Sequence, residues 1–232
     1  MRAKVKLRHD FQIVHDGRMV FSIVRGVPLH ACVFLVYHSQ MAWVIVGLGN
    51  PNSEYKGTRH NFGRDAVVFY GSKIGCTEWV SHSKANADVA KGPSATLVLP
   101  NTYMNKSGNA VAVFVKSVKA SEHLVVVHDD LDMPFGSMKV SFNRGSGGHK
   151  GVESVMRAVK TKKFVRVRLG ISPTTASGAL RKPQGDEAVQ KFILSKCTPK
   201  EKEQVSALFK RVSFALDCVV KEGREKAMNK FN

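Results

Sequence analysis

Val44-Ile45-Val46-Gly47-Leu48-Gly49-Asn50-Pro51 is the stretch that decides the fold. A short β-branched run stopped by two glycines and a proline reads as a buried strand feeding a turn. The same grammar recurs along the chain. Residues 95–99 form a second strand, closed by Pro100. Residues 124–127 form a third, ended by the acidic run His128-Asp129-Asp130-Leu131-Asp132. In residues 164–171, Val165, Val167 and Leu169 fall on one face and Arg166 and Arg168 on the other, while residues 138–142 alternate as a strand with one exposed face should. Apolar spacing predicts helices over 60–72, over 105–118 and from a glycine-rich loop at 144–151 to about residue 160. The i, i+3, i+4 series Val205, Leu208, Phe209, Val212, Leu216 and Val219 predicts a C-terminal helix. Residues 173–185, rich in proline, glycine and small polar side chains, read as a mobile loop.

Strands alternating with helices predict a single α/β domain, a mixed and mostly parallel sheet flanked by helices. The chain's 232 residues, 43% of them apolar, suffice for one buried core and not for a second full domain. In such sheets ligands sit beyond the carboxyl ends of the strands. Three unusual polar clusters, at 47–61, 101–107 and 128–132, each follow an expected strand, so they should meet on one edge.

A formal charge of +18 and a pI near 10.0 favour a polyanionic partner, a nucleic acid or an anionic membrane surface. Residues 1–42 hold six of the 36 basic and two of the 18 acidic residues, so the rest of the chain keeps +14. That basic leader resembles an organelle targeting segment, and residues 43–232 are expected to form the domain; a mitochondrial location is expected, with a cytoplasmic one as the alternative. The apolar stretch at 19–37 is interrupted by Arg25, Pro28 and His30, which argues against a membrane anchor and against stable membrane association. Cys32, Cys76, Cys197 and Cys218 show neither a Cys-x-x-Cys pair nor a histidine at ligand spacing, so no metal site and no disulfide framework are expected, and the compartment is read as reducing.

Two phosphate-loop templates fail. Gly47-x-Gly49 lacks the third glycine of a dinucleotide fingerprint, because position 52 is Asn52. The 145–151 loop lacks the Gly-Lys-Ser/Thr of a nucleotide-binding loop, since Lys150 and Gly151 stand there. No Gly-x-Ser-x-Gly elbow is present either. What remains is Asn50, His60 and Asn61, then Met104 and Asn105, then Asp129, and His149 in the glycine loop. A neutral imidazole can take a proton from water, a carboxylate can hold its other N–H, and asparagine amides can donate to a developing oxyanion. Each residue also has an ordinary reading, as a structural histidine, a turn asparagine, a capping aspartate or a core methionine.

The motifs Val46-Gly47-Leu48-Gly49-Asn50-Pro51, Tyr55, Thr58-Arg59-His60-Asn61-x-Gly63, Tyr103-Met104-Asn105-x-Ser107-Gly108, His128-Asp129-x-Leu131-Asp132, Gly147-Gly148-His149-x-Gly151 and Arg166-x-Arg168-x-Gly170-Ile171 closely resemble the bacterial-type peptidyl-tRNA hydrolases. The resemblance implies an esterase acting without a cofactor, as a monomer, on peptidyl-tRNA released from stalled translation. It implies that His60 is the general base and Asp129 its orienting group, that Asn50 and Asn105 bind the peptide and the reacting centre, and that Met104, Tyr55 and Asn61 line the site. It places His149 and Lys150 near the tRNA 3′ end, and Arg168 at the acceptor stem as part of a clamp on the tRNA 5′ phosphate.

Two positions depart from the family pattern. Lys150 stands where asparagine is usual, and Ser141 where a lysine is usual; Lys139, two residues earlier on the same strand face, can supply the missing charge. The competing expectation is a catalytically inactive RNA-binding relative acting as an organellar intron-splicing factor.

Overall fold

The computed structural model describes residues 42–232. The expected N-terminal extension and its targeting role lie outside the described residues, Ala42 apart.

One seven-stranded sheet runs through the domain. Its strands are β1 (Trp43–Gly47), β2 (Val80–His82), β3 (Ala87–Lys91), β4 (Ala95–Pro100), β5 (Leu124–Pro134), β6 (Met138–Phe142) and β7 (Val165–Ser172), in the spatial order β2-β3-β4-β1-β5-β7-β6. The centre is parallel: β1 pairs with β4 and β5, and β5 with β7. The edges, β2 with β3, β3 with β4, and β6 with β7, are antiparallel. The central strands are Val/Ile/Leu-rich because both their faces are covered.

Helices lie on both faces. On one, α1 (Phe62–Lys73), α6 (Pro199–Glu222) and α7 (Arg224–Phe231) pack Phe62, Val67, Leu208, Val212, Leu216 and Ala227 against Ile45, Leu97, Val125 and Val167. On the other, α2 (Ser107–Phe114) and α4 (Lys150–Val159) pack Val111, Val152 and Val155 against Val46, Val98 and Val126. The alternation along β1, Ile45 to one core and Val46 to the other, is the period-two pattern of a two-faced strand. The expected single α/β domain with a mixed sheet is what the structure shows.

Several elements differ from the sequence expectations. The helix expected over 105–118 is broken: a 3₁₀ turn at Met104–Lys106 leads into α2, Val115 is extended, and the short α3 (Val118–Ser121) restarts. Ser117 explains the restart, because its side chain accepts the Ala120 N–H and nucleates a new helical end. The third strand does not stop at the acidic run. β5 continues through it because Asp129 and Asp130 pair with Leu169 and Gly170 of β7, with a register shift between Asp130 and Pro134. β2, β3 and α5 (Asp186–Ile193) were not anticipated; β2 is three residues long, and β3 is five residues with Asp88 and Lys91 among them, too short and too charged to stand out as an apolar run. Among the described residues no helix is long and apolar enough to cross a membrane.

Candidate active site

The turn after β1 begins the site. Leu48 N–H donates to the Val127 carbonyl, and Arg64 N–H donates to the Leu48 carbonyl, which ties the turn to β5 and to the first turn of α1. A Cβ on Gly63 would lie 2.2 Å from the Val127 carbonyl oxygen, so only glycine lets α1 sit this close to β5.

His60 stands in a 3₁₀ turn, Arg59–Asn61, between two anchored neighbours. The Arg59 guanidinium is buried; it donates to both Glu201 oxygens at 2.7 and 2.8 Å, to Ser195 Oγ at 2.6 Å and to the Lys196 carbonyl at 3.0 Å. The Asn61 amide grips the Asn50 backbone at both ends, accepting its N–H at 2.8 Å and donating to its carbonyl at 3.0 Å. Asn61, expected at the substrate, thus spends its polar atoms bracing the turn. One neighbour of His60 is fastened to α6 and the other to the β1 turn, so the imidazole enters the site from a fixed backbone.

The Asp129 carboxylate, 2% exposed, bridges two imidazoles. His60 Nδ1 lies 3.0 Å from Oδ2 and 3.2 Å from Oδ1, and His149 Nε2 lies 2.9 Å from Oδ1. A carboxylate only accepts, so His60 carries its proton on Nδ1 and presents Nε2 as a lone pair. For His149 the opposite tautomer is set independently: Nδ1 accepts the Gly151 and Val152 N–H groups at 3.1 and 3.3 Å, capping α4, and Nε2 bears the proton given to Asp129. His128, fully buried, donates from Nδ1 to the Asp129 carbonyl at 2.7 Å, and its ring lies 4.8 Å from that of His149.

The electrostatics follow from these contacts. Burial works against the charged form of His60, but the Asp129 charge and hydrogen bond outweigh it and raise the imidazole's pKa above its ordinary value. Burial likewise opposes the Asp129 carboxylate, yet His60 and His149 together hold it well below the usual carboxylate range. Burial, with His149 and Arg166 nearby, keeps His128 neutral by driving its pKa far down.

Asn50 supplies a directed donor. Its Oδ1 accepts the Met104 N–H at 2.9 Å, which fixes the amide and leaves Nδ2 unpaired among the described residues. Met104 is buried, and a Cβ on Gly151 would come 2.5 Å from its sulfur, so α4 begins against the Met104 side chain. The three sequence clusters therefore meet through the Asn50–Met104 and His60–Asp129 contacts.

Other candidates stand apart from this network. Asn105 is exposed and its side chain makes no hydrogen bond among the described residues; Tyr55 is half-buried in the preceding 3₁₀ turn, Ser53–Tyr55. Lys150 is exposed at the first residue of α4. Lys139 is exposed and pairs in register with Arg168, as Ser141 does with Arg166, so all four share one sheet face. Arg168 Nε donates to Asp130 Oδ2 at 2.7 Å.

The donor atoms of His60, Asp129 and His149 lie within 4.8 Å of one another, the one grouping among the described residues close enough to be considered for a metal ion. Each contact here has the length and tautomer of a hydrogen bond instead.

Sequence reasoning missed the supporting residues. Arg64 bonds the Pro100 carbonyl at 2.8 Å, Asn101 Oδ1 at 2.9 Å and Asp88 Oδ2 at 3.2 Å, holding the segment that leads to Met104. Asp88 lies on an unanticipated strand and Glu201 is 142 residues from Arg59, so no local pattern could announce either pair.

An α/β sheet edge carrying a carboxylate-held imidazole with a free Nε2, and an asparagine amide fixed as a donor, defines a hydrolase-type site suited to attack by water. The family model described as peptidyl-tRNA hydrolase matches residues 44–232. A peptidyl-tRNA hydrolase of Syntrophotalea carbinolica is 34% identical over 192 residues, 82% of this chain and 96% of the relative. One of Mycobacterium tuberculosis is 35% identical, over 81% and 95%. The crystal structure of peptidyl-tRNA hydrolase from Acinetobacter baumannii superposes with a TM-score of 0.72 at 31% identity, covering 82% of this chain and 94% of the other. The chain belongs to the peptidyl-tRNA hydrolase family.

Proposed function

We propose that this protein hydrolyses the ester that joins a peptide to the 3′ ribose of tRNA, using water activated by His60, and so recycles tRNA from stalled or aborted translation. The observation that carries the reading is the His60 Nδ1–Asp129 bond at 3.0 Å, which leaves Nε2 as the free base. Nε2 takes a proton from water as the oxygen attacks the ester carbonyl, and Asp129 stabilises the imidazolium that forms. The carbonyl oxygen gains negative charge and accepts from Asn50 Nδ2, and Asn105 is assigned to the same reacting centre. Collapse breaks the bond to the ribose oxygen, which leaves with the proton held on Nε2. The products are a free peptide carboxylate and tRNA with an intact 3′ hydroxyl, and no cofactor enters the balance.

The basic face of β6 and β7, with Lys139 and Arg168, is assigned to the acceptor stem and its 5′ phosphate; recognition of a terminal phosphate needs no sequence readout. Tyr55, Met104, His149 and Lys150 are assigned to the peptide and the 3′ end. The enzyme is proposed to act as a monomer in mitochondria, the location that the basic bias of residues 1–42 supports. A relative that only binds RNA has no use for a base held ready by a buried carboxylate. Incubating the pure protein with an N-blocked aminoacyl-tRNA tests the choice: release of the N-blocked amino acid supports the hydrolase, and tight tRNA binding without release overturns it.

A further inference from the structure

His149 is occupied at both nitrogens. Nδ1 accepts two N–H groups at the start of α4, and Nε2 donates to Asp129. With no lone pair left and no mobile proton, it cannot serve as a base. Beyond its assigned place beside the tRNA 3′ end, its effect on the base passes through the carboxylate that it shares with His60. We propose that His149 is a positioning residue: by holding one oxygen of Asp129 it limits that carboxylate's grip on His60 and keeps the His60 imidazole available as a base.

A carboxylate that receives two strong donors has less negative charge to offer each. Without the His149 bond, Asp129 would favour the His60 imidazolium more strongly, and His60 would stay protonated, and idle, to higher pH. The surrounding charges do not replace this control. The His128 ring, on β5, lies 4.8 Å from His149 with its one proton already on the Asp129 carbonyl. Arg166 reaches the Ser146 carbonyl at 3.4 Å, Arg168 Nε donates to Asp130 at 2.7 Å, and Glu153 on α4 takes the Ser146 hydroxyl at 3.2 Å. Lys150 is exposed. His60 itself, its ring 5.1 Å from that of His149, is the group that feels the change.

Two substitutions separate this role from mere capping. In His149→Asn the side-chain oxygen can take the place of Nδ1 and keep the α4 cap, but the amide is too short to reach Asp129. In His149→Gln the amide nitrogen takes the place of Nε2 and keeps the Asp129 bond while the cap is lost. The ring-proton titration of His60, followed by NMR in the whole protein, should move up by about 0.5–1 pH unit in His149→Asn and stay within roughly 0.2 unit in His149→Gln. The acid limb of kcat/KM should move with it, a part that rests on the hydrolase reading. Thermal stability should order the other way, with His149→Gln the less stable. Equal shifts in both variants, or none in His149→Asn, would overturn the proposal. If the NMR shifts come out as stated but the wild type releases no N-blocked amino acid, the hydrolase reading fails and the coupling of His149 to His60 stands.

Discussion

Replacing Asp129 with asparagine changes one atom's chemistry at the centre of the network. The wild-type carboxylate accepts from His60 at 3.0 and 3.2 Å and from His149 at 2.9 Å. An asparagine oxygen can keep the His149 bond, since that tautomer is set by the α4 backbone. The amide nitrogen then faces His60 Nδ1 and, being a donor, forces that nitrogen to accept. The proton moves to Nε2, and the base is lost in the very tautomer that catalysis requires. Loss of a general base costs about 10²–10⁴-fold in rate, and the imidazolium loses a hydrogen bond to a charged group worth about 1.5–3 kcal/mol, or roughly one to two pKa units. Single-turnover cleavage of N-blocked aminoacyl-tRNA across pH measures the first quantity, and NMR titration of His60 the second.

Stability carries the same signature. The lowered Asp129 pKa contributes stability above the ordinary carboxylate value of 3.8 and loses it as pH falls; the raised His60 pKa contributes below the ordinary imidazole value of 6.5 and loses it as pH rises. The wild type's advantage over Asp129→Asn should therefore peak between these two values and shrink on both sides. Turnover within tenfold of wild type, or a stability difference that stays the same from well below 3.8 to well above 6.5, would refute the reasoning.

Arg59→Ala leaves Glu201 without its buried partner and frees one side of the His60 turn. Losing hydrogen bonds to a charged group costs about 1.5–3 kcal/mol, so the melting temperature should fall by roughly 3–12 °C, and calorimetry showing a fall of less than about 2 °C would count against the anchor. Removing the tRNA 5′ phosphate should weaken binding to wild type but matter little to Arg168→Ala, whose slope of log affinity against log salt should be smaller by about one; filter binding across a salt series reads both. Lys150→Asn, at an exposed position, should change the single-turnover rate by less than about tenfold, or roughly 1.4 kcal/mol, while making binding less salt-dependent. A splicing-factor role would instead show no cleavage by wild type and cleavage restored by this substitution.

The parallel centre of the sheet was legible because β1, β4 and the first part of β5 are covered on both faces and read as short apolar runs, while β7 showed itself by alternation, Val165, Val167 and Leu169 against Arg166 and Arg168. β2 and β3 were not, since Val80-Ser81-His82 carries no pattern of its own and gains strand geometry only from pairing with β3, which itself lies along the β4 edge. The acidic run misled in a different way. Consecutive aspartates look like a loop, and only the partners that satisfy them, two histidines and Arg168, allow a strand to continue through. Asn50, His60, Met104 and Asp129 could be suspected from their place after strands. The division of labour within the site could not: Asn61 as a brace and His149 as a cap depend on contacts made across the chain. Lys139 sharing a face with Ser141 was readable from strand period alone, whereas its pairing with Arg168 needed the β6–β7 register and the Arg168–Asp130 bond the β5–β7 register.

The central claim is that His60 removes the proton from the attacking water. Single-turnover cleavage of an N-blocked aminoacyl-tRNA by wild type and His60→Ala, with tRNA affinity measured separately, tests it most directly. The account predicts a rate lower by about 10²–10⁴-fold with nearly unchanged affinity. A His60→Ala protein that cleaves at close to the wild-type rate would contradict it.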